Sequence, residues 1–336
     1  MERLSDYDYD LPPEAIAQRP LEDRSASKLL WLPRQAGPVR HLEFAEVLDV
    51  LQGGDLLVVN DTRVTALRVF GRKPTGAEVE LLLLREEQPG LYRAMARPGR
   101  RLRTGAQVEL EGGLRATIQG EVGAERLVQL EPQENLKATL ARIGEVPLPP
   151  YIHERIASPE RYQTVYASRD GSAAAPTAGL HFTPEILEGL RRKGVQIATV
   201  TLDVGLDTFR PVESEDLSQH TMHGERCGVP PETVAAVESC RGRIIAVGTT
   251  TVRTLESFSS GIRQLRSGEM ETRLFIRPGY EFKVVDGMFT NFHLPRTTML
   301  MMISAMASRD RVLDAYSEAL QCGYRFLSFG DSMLIL

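Results

Sequence analysis

TALRVFG (65–71), AEVELLLLR (77–85), LYRAMA (91–96), AQVEL (106–110), LRATIQGEV (114–122) and RLVQLE (126–131) follow one another with Gly, Pro and charged residues between them. Each run is short and partly alternates apolar with polar side chains. They recur roughly every 8–12 residues, the texture of an antiparallel sheet that closes on itself. The stretch therefore predicts a small antiparallel β-barrel. After it, QENLKATLARIG (133–144) reads as a helix closed by Gly144, and the proline-rich EVPLPPY (145–151) cannot continue that helix, which puts a domain boundary there.

On both sides of the barrel the texture changes to strand, polar turn and helix. RIIAVG (243–248) runs into TTTVRTLESF, FTNFH (289–293) leads through LPR into TTMLMMISAMASRD, and GVQIATVTL (194–202) follows the helix PEILEGLRRKG. That helix has Thr183 as N-cap, Pro184 at its first position and Gly194 for a left-handed residue after its last turn. The N-terminal piece ending in DLLVV (55–59) is too short to stand alone and is expected to join the same sheet. The fold class is thus α/β, a mixed sheet flanked by helices with an inserted small antiparallel barrel. Residues 1–64 plus 149–336 are expected to form the α/β catalytic domain and 65–148 the inserted barrel. Met299, Met301, Met302 and Met306 read as core filler.

Of 336 residues, 42% are hydrophobic and the net charge is −5, so any nucleic-acid partner must meet a local basic face. RPGRRLRTG (97–105), with Arg97, Arg100, Arg101 and Arg103, is one candidate for such a face. The acidic start MERLSDYDYD is unlike a signal peptide, and no apolar run approaches the ~20 residues that cross a bilayer, so the expected location is the cytoplasm with no membrane partner. Cys227, Cys240 and Cys322 are odd in number and widely spaced, as reduced packing thiols are.

In open α/β sheets, ligands gather outside the carboxyl ends of the strands. Four turns fall there. NDTR (60–63) offers Asp61 and Arg63, the latter able to hold a carboxylate or phosphate through two parallel N–H bonds, though a turn alone would also use Asn60 and Asp61. APTAGLHFT (175–183) brings Thr177, Gly179, His181 and Phe182 to a helix N-terminus that favours an anion. GTTTVRTLES (248–257) sets Thr249 and Thr250 at a strand end with Arg253 one turn on; a surface Arg253–Glu256 pair is the plain alternative. NFHLP (291–295) repeats an aromatic beside a histidine, with Asn291 and His293, and Phe182 or Phe292 could stack on a purine. HTMHGE (220–225) gathers His220, His223 and Glu225 without the spacing of a zinc motif, so proton transfer is the preferred reading and no metal is expected.

Together, YDLPPEAIAQRPLEDRSASKLL (9–30), GDLLVVNDTRV (54–64), EVPLPPYI, ERYQTVYA, APTAGLHFT, TFRPV, HTMHGE, VGTTTVRTLES, LFIRPGYEFKVVDGMFTNFHLP (274–295) and YRFLSFGDSMLI (324–335) span almost the whole chain in order. This set closely resembles the S-adenosylmethionine:tRNA ribosyltransferase-isomerases of queuosine biosynthesis, the QueA family. The resemblance implies movement of the ribosyl group of S-adenosylmethionine to the 7-aminomethyl-7-deazaguanine wobble base of tRNA and its isomerisation, leaving epoxyqueuosine, adenine and methionine. S-Adenosylmethionine is then a co-substrate with no further cofactor, and a tRNA with a queuosine-type anticodon is the partner. The sequence is silent on oligomeric state, and a monomer is the favoured assignment.

Proton handling in that reaction points to His181 and His223, with Glu225 beside the sulfonium and Arg63 or Arg253 on the methionine carboxylate. One departure stands out. Where the resemblance implies H-V-G-x-G-T-F, the chain reads DVGLDTF (203–209), so Asp203 replaces an imidazole as a candidate catalytic group and Asp207 a glycine. Two other classes stay open: a metal-dependent hydrolase on His220, His223 and Glu225, and a silent RNA-binding protein using Arg97 to Arg103.

Overall fold

The computed structural model describes residues 3–99, 102–156, 158–205, 212 and 214–336. The chain divides into two compact units, one of Met1–Thr62, Pro149–Arg169 and Ala175–Leu336, the other of Arg63–Leu148 and Asp170–Ala174.

The first unit is built on nine strands in the order Gly268–Thr272, Glu225–Val229, Gln196–Leu202, Leu56–Asn60, Ile244–Val247, Gly287–Asn291, Ser332–Ile335, Lys28–Leu32, Arg40–Glu43. Gln196–Leu202, Leu56–Asn60, Ile244–Val247 and Gly287–Asn291 run parallel, and antiparallel strands border them on both sides. Leu56–Asn60, Ile244–Val247 and Gly287–Asn291 are buried at every position. Their unbroken apolar texture reflects cover on both faces of the sheet, as parallel strands require.

Helix Pro184–Arg192 starts as its sequence dictates: Thr183 accepts from the Ile186 N–H at 3.3 Å, and Gly194 follows the last turn at φ +86°. Its apolar face, with Ile186, Leu187 and Leu190, packs on a core that includes Phe44, Phe182 and Phe289. Those three rings meet at 4.9–5.8 Å between centroids.

The second unit is a closed six-stranded antiparallel barrel in the order Glu125–Glu131, Leu91–Arg97, Glu78–Gln88, Leu67–Arg72, Gln107–Leu110, Arg115–Val122. Alternation places Val69, Leu81, Leu83, Ala94, Ile118 and Val128 inside. Helix Leu136–Ile143 follows, and its terminal Gly144 has φ −75°, so a left-handed turn is not what requires glycine there. A Cβ at that position would meet Leu140 O at 2.7 Å.

Cys227 and Cys240 are buried free thiols and Cys322 is exposed. Among the described residues, no helix is long and apolar enough to cross a membrane.

Candidate active site

The parallel strands of the first unit end side by side at Leu202, Asn60, Val247 and Asn291. Asn60 ties these ends together. Its amide donates to Leu202 O at 3.0 Å and Thr250 Oγ1 at 3.3 Å, and its carbonyl accepts from Leu202 N–H at 3.0 Å and Thr62 N–H at 3.2 Å. Next to it the chain turns from strand into helix Thr249–Ser257 through Gly248, whose φ of +90° and ψ of 154° suit glycine alone. Its N-cap is a glycine with no side chain to cap it, so among the described residues its first N–H groups remain available beside Thr249 and Thr250.

A two-lobed cleft opens at this helix start, with Thr249, Thr250 and Met299 lining both lobes. The first lobe spans about 830 Å³ and the second about 670 Å³ of space, open solvent at their mouths included.

The first lobe is lined by His220, His223, Glu225 and Arg253, among others. Arg253 projects from the first turns of the helix, and Glu225 begins its strand; the two form a salt bridge with both side chains under 10% exposed. Glu225 Oε1 also accepts from the Gly205 N–H at 3.4 Å, while Arg253 Nε donates to Leu274 O at 3.3 Å and its Nη2 finds no hydrogen-bond partner. The Arg253–Glu256 surface pair is not formed. Glu256 is buried and accepts from Tyr280 Oη at 3.1 Å and from the N–H groups of Lys283, Val284 and Val285 at 3.0 Å each. His220 packs edge-on against Phe275 at 5.3 Å, and burial, with His223 beside it, lowers its pKa. Among the described residues, no three or more of His, Cys, Asp and Glu are grouped so that they could hold a metal ion.

The second lobe is lined by Thr177, Asn291 and His293. Thr177 Oγ1 donates to Asn291 Oδ1 at 2.8 Å, which leaves the buried Asn291 Nδ2 as a donor without a protein partner. His293 Nε2 lies 2.7 Å from Thr290 Oγ1, and burial pushes its pKa down to about 3.

Several expected site residues lie elsewhere. His181 is outside both lobes: its Nδ1 is 2.8 Å from Ser27 Oγ, its ring lies 5.1 Å from that of Phe44, and it lines a separate recess of about 300 Å³. Burial, with Arg325 and Arg24 nearby, pushes its pKa down to about 3. Phe182 is fully buried in an aromatic cluster and lines neither lobe, whereas Phe292, buried and stacked on Phe326 at 4.6 Å, is part of the wall of the second lobe. Gly179 faces Tyr166, whose hydroxyl would lie 1.9 Å from an added Cβ; close packing is what demands glycine there. Asp61 is held by Thr201 Oγ1 at 2.6 Å and Ser168 Oγ at 3.3 Å and lines neither lobe. Asp203 likewise lines neither lobe and accepts from Thr62 Oγ1 at 3.1 Å. Arg63 belongs to the barrel unit, where it is exposed and 3.7 Å from Asp170. Arg97 and Arg103 are exposed barrel residues, and Arg126 donates to Leu102 O at 3.1 Å and to Gly99 O at 3.3 Å. Arg100, Arg101 and Asp207 lie outside the described residues. Conversely, Met299 and Met302 were expected only in the core, yet they line the cleft.

The two depressed histidines give the folded state a defined pH response. Both rings have an ordinary pKa of 6.5 when unfolded and stay neutral when folded. Their contribution is therefore complete above pH ~6.5 and is lost as pH falls toward about 3, by up to about 1.4 kcal/mol per pH unit for each ring. Urea melts at about pH 7 and about pH 5 should show this loss, and His293→Asn should flatten it. An unchanged slope in that variant would remove the assignment.

A ligand cleft at the carboxyl ends of parallel strands, in a chain that also carries a closed antiparallel barrel, defines an α/β enzyme acting on a small organic substrate. The particular kind follows from comparison with known proteins. The profile of a family described as "Queuosine biosynthesis protein" matches residues 4–335, and the chain belongs to that family. A relative from Moorella thermoacetica, named S-adenosylmethionine:tRNA ribosyltransferase-isomerase, is 49% identical over 99% of this chain and 100% of its own length. One from Thermotoga maritima with the same name is 47% identical over 99% and 100%. A crystal structure described as an S-adenosylmethionine tRNA ribosyltransferase from Thermotoga maritima superposes with a TM-score of 0.57 at 38% identity, covering 98% of this chain and 100% of that one.

Proposed function

We propose that this chain transfers the ribosyl group of S-adenosylmethionine to the 7-aminomethyl-7-deazaguanine wobble base of tRNA and isomerises it, yielding epoxyqueuosine-tRNA, adenine and methionine. The partner is a tRNA with a queuosine-type anticodon, S-adenosylmethionine is consumed as co-substrate without a further cofactor, and the cytoplasm is the proposed location, with a monomer the favoured assignment for a still open oligomeric state. Family membership over nearly the full chain supports the activity. The single structural observation that carries the reading is the pair of lobes meeting at Thr249 and Thr250. Two substrates must meet, and the cleft offers adjoining seats.

The residues divide the work by chemistry. Arg253, with its unpartnered Nη2, and the uncapped helix start suit the methionine carboxylate. Glu225 shares the first lobe and supplies negative charge near a sulfonium. The sulfonium acidifies the ribose C5′ hydrogens, and His223, which lines the same lobe, is the proton-transfer group. In the second lobe, the Asn291 amide donor is positioned for an acceptor on a purine-like base. His293, kept neutral by burial, orients that wall and is too weak a base to deprotonate carbon.

Free adenine is the decisive product. The purified protein should release it when given S-adenosylmethionine together with tRNA carrying the deazaguanine precursor. No release with both substrates present, or equal release without RNA, would overturn the reading.

A further inference from the structure

The recess that holds His181 is lined by Arg24, Arg161 and Arg325, which come from three distant segments of the first unit. Their hydrogen bonds go to neutral carbonyls: Arg24 donates to Gln163 O at 2.9 Å and Glu160 O at 3.1 Å, Arg161 to Glu22 O at 3.2 Å, and Arg325 to Arg19 O at 3.4 Å. A carbonyl satisfies an N–H but leaves the charge standing. Among the described residues, the ion pairing of these guanidiniums is confined to Asp331, 3.7 Å from Arg325, and that carboxylate already accepts from the N–H groups of Lys28 at 3.0 Å and Arg325 at 2.8 Å. The recess thus holds about three positive charges against one shared negative charge, a concave surplus that attracts anions.

His181 adds a second observation. It is 5% exposed, and its Nε2 has no hydrogen-bond partner in the protein. Ser27 has one hydroxyl hydrogen and two acceptors within reach, Arg24 O at 3.2 Å and His181 Nδ1 at 2.8 Å. Given to the ring, that hydrogen makes Nε2–H a donor, and an anion in the recess would select this tautomer. Burial and the two nearby arginines keep the ring neutral, so it donates without needing to be charged.

The recess is also next to the cleft, because Ser328 lines both it and the second lobe. We propose that Arg24, Arg161, Arg325 and His181 form a phosphate-binding site that takes a phosphodiester of the RNA strand whose base enters the second lobe. The phosphate claim stands on the recess alone; its assignment to an RNA strand rests on the function proposed above.

The test uses the full chain and two probes, inorganic phosphate and an anticodon stem-loop RNA carrying the precursor base. In the wild-type protein, both probes should move the His181 ring nitrogen resonances toward the Nε2–H form. Arg325→Gln should weaken RNA binding by about tenfold and make the slope of log affinity against log salt shallower by about 0.7, the share of one single-strand phosphate. Should that variant fold poorly, the wild-type resonances still decide the matter. Unmoved His181 signals with both probes would overturn the site. A response to phosphate alone, with the RNA salt slope unchanged, would overturn the strand assignment and leave a pocket for a free anion. Adenine release separates the two proposals: release with an unaltered salt slope defeats only the RNA-strand site, and no release with an intact phosphate response defeats the activity and the strand assignment that rests on it, while the phosphate site itself stands.

Discussion

Arg253→Met should cost the protein about 3–5 kcal/mol of folding stability, because it leaves the Glu225 carboxylate buried without its cation. The two side chains are 9% and 8% exposed, so water cannot replace the lost partner cheaply. Adenine release should fall at least about a hundredfold, since the same guanidinium is assigned to the methionine carboxylate. Stability and activity can be separated by the double variant Arg253→Met/Glu225→Leu. Replacing both charges with apolar groups of similar size should recover most of the stability, as for other buried pairs, while activity stays lost. Denaturant melts and the adenine assay measure the two effects. A double variant with wild-type turnover would take the ion pair out of the active site.

Glu256→Ala is the second large effect, and it bears on architecture. The carboxylate gathers the N–H groups of Lys283, Val284 and Val285, which lead into strand Gly287–Asn291 and so to Asn291 in the second lobe. Alanine leaves those donors without an acceptor at about 1–3 kcal/mol each; with some relief from entering water, a total near 3–5 kcal/mol is expected. Hydrogen exchange at Val284 and Val285 should accelerate in step with the loss of stability. Glu256→Gln, which keeps one oxygen, should lose less. An alanine variant within about 1 kcal/mol of wild type would show that the segment holds without the carboxylate.

Both residues show where sequence reasoning reached and where it stopped. The barrel was legible because alternation and turn residues are local signals, as were the Thr183 cap and the glycine after helix Pro184–Arg192. The strand-end turns were legible because parallel strands, buried on both faces, carry an unbroken apolar signature. Pairing was not. Arg253 and Glu256 sit three apart on one helix, yet their partners come from Glu225 and from 280–285, contacts created only when the sheet assembles.

The two His–Phe pairs looked alike in sequence, and both phenylalanines went into the core, because the sheet needs large apolar cover just beyond its strand ends. The histidines then fell to different recesses, His181 beside Ser27 and His293 beside Thr290. The arginine recess left no local signal of its own: residues 24, 161 and 325 sit in three separate stretches of the chain and meet only in the fold.

On the proposed function the two lobes seat the two substrates, and their common wall at Thr249 and Thr250 then bears on the order of events. Neighbouring seats do not compete, so a first reactant need not vacate before a second arrives, and both can be held together at the moment of group transfer. Initial-rate plots with the two substrates varied should therefore intersect, as in a ternary-complex scheme, and not run parallel as they do when an enzyme shuttles between two half-reactions.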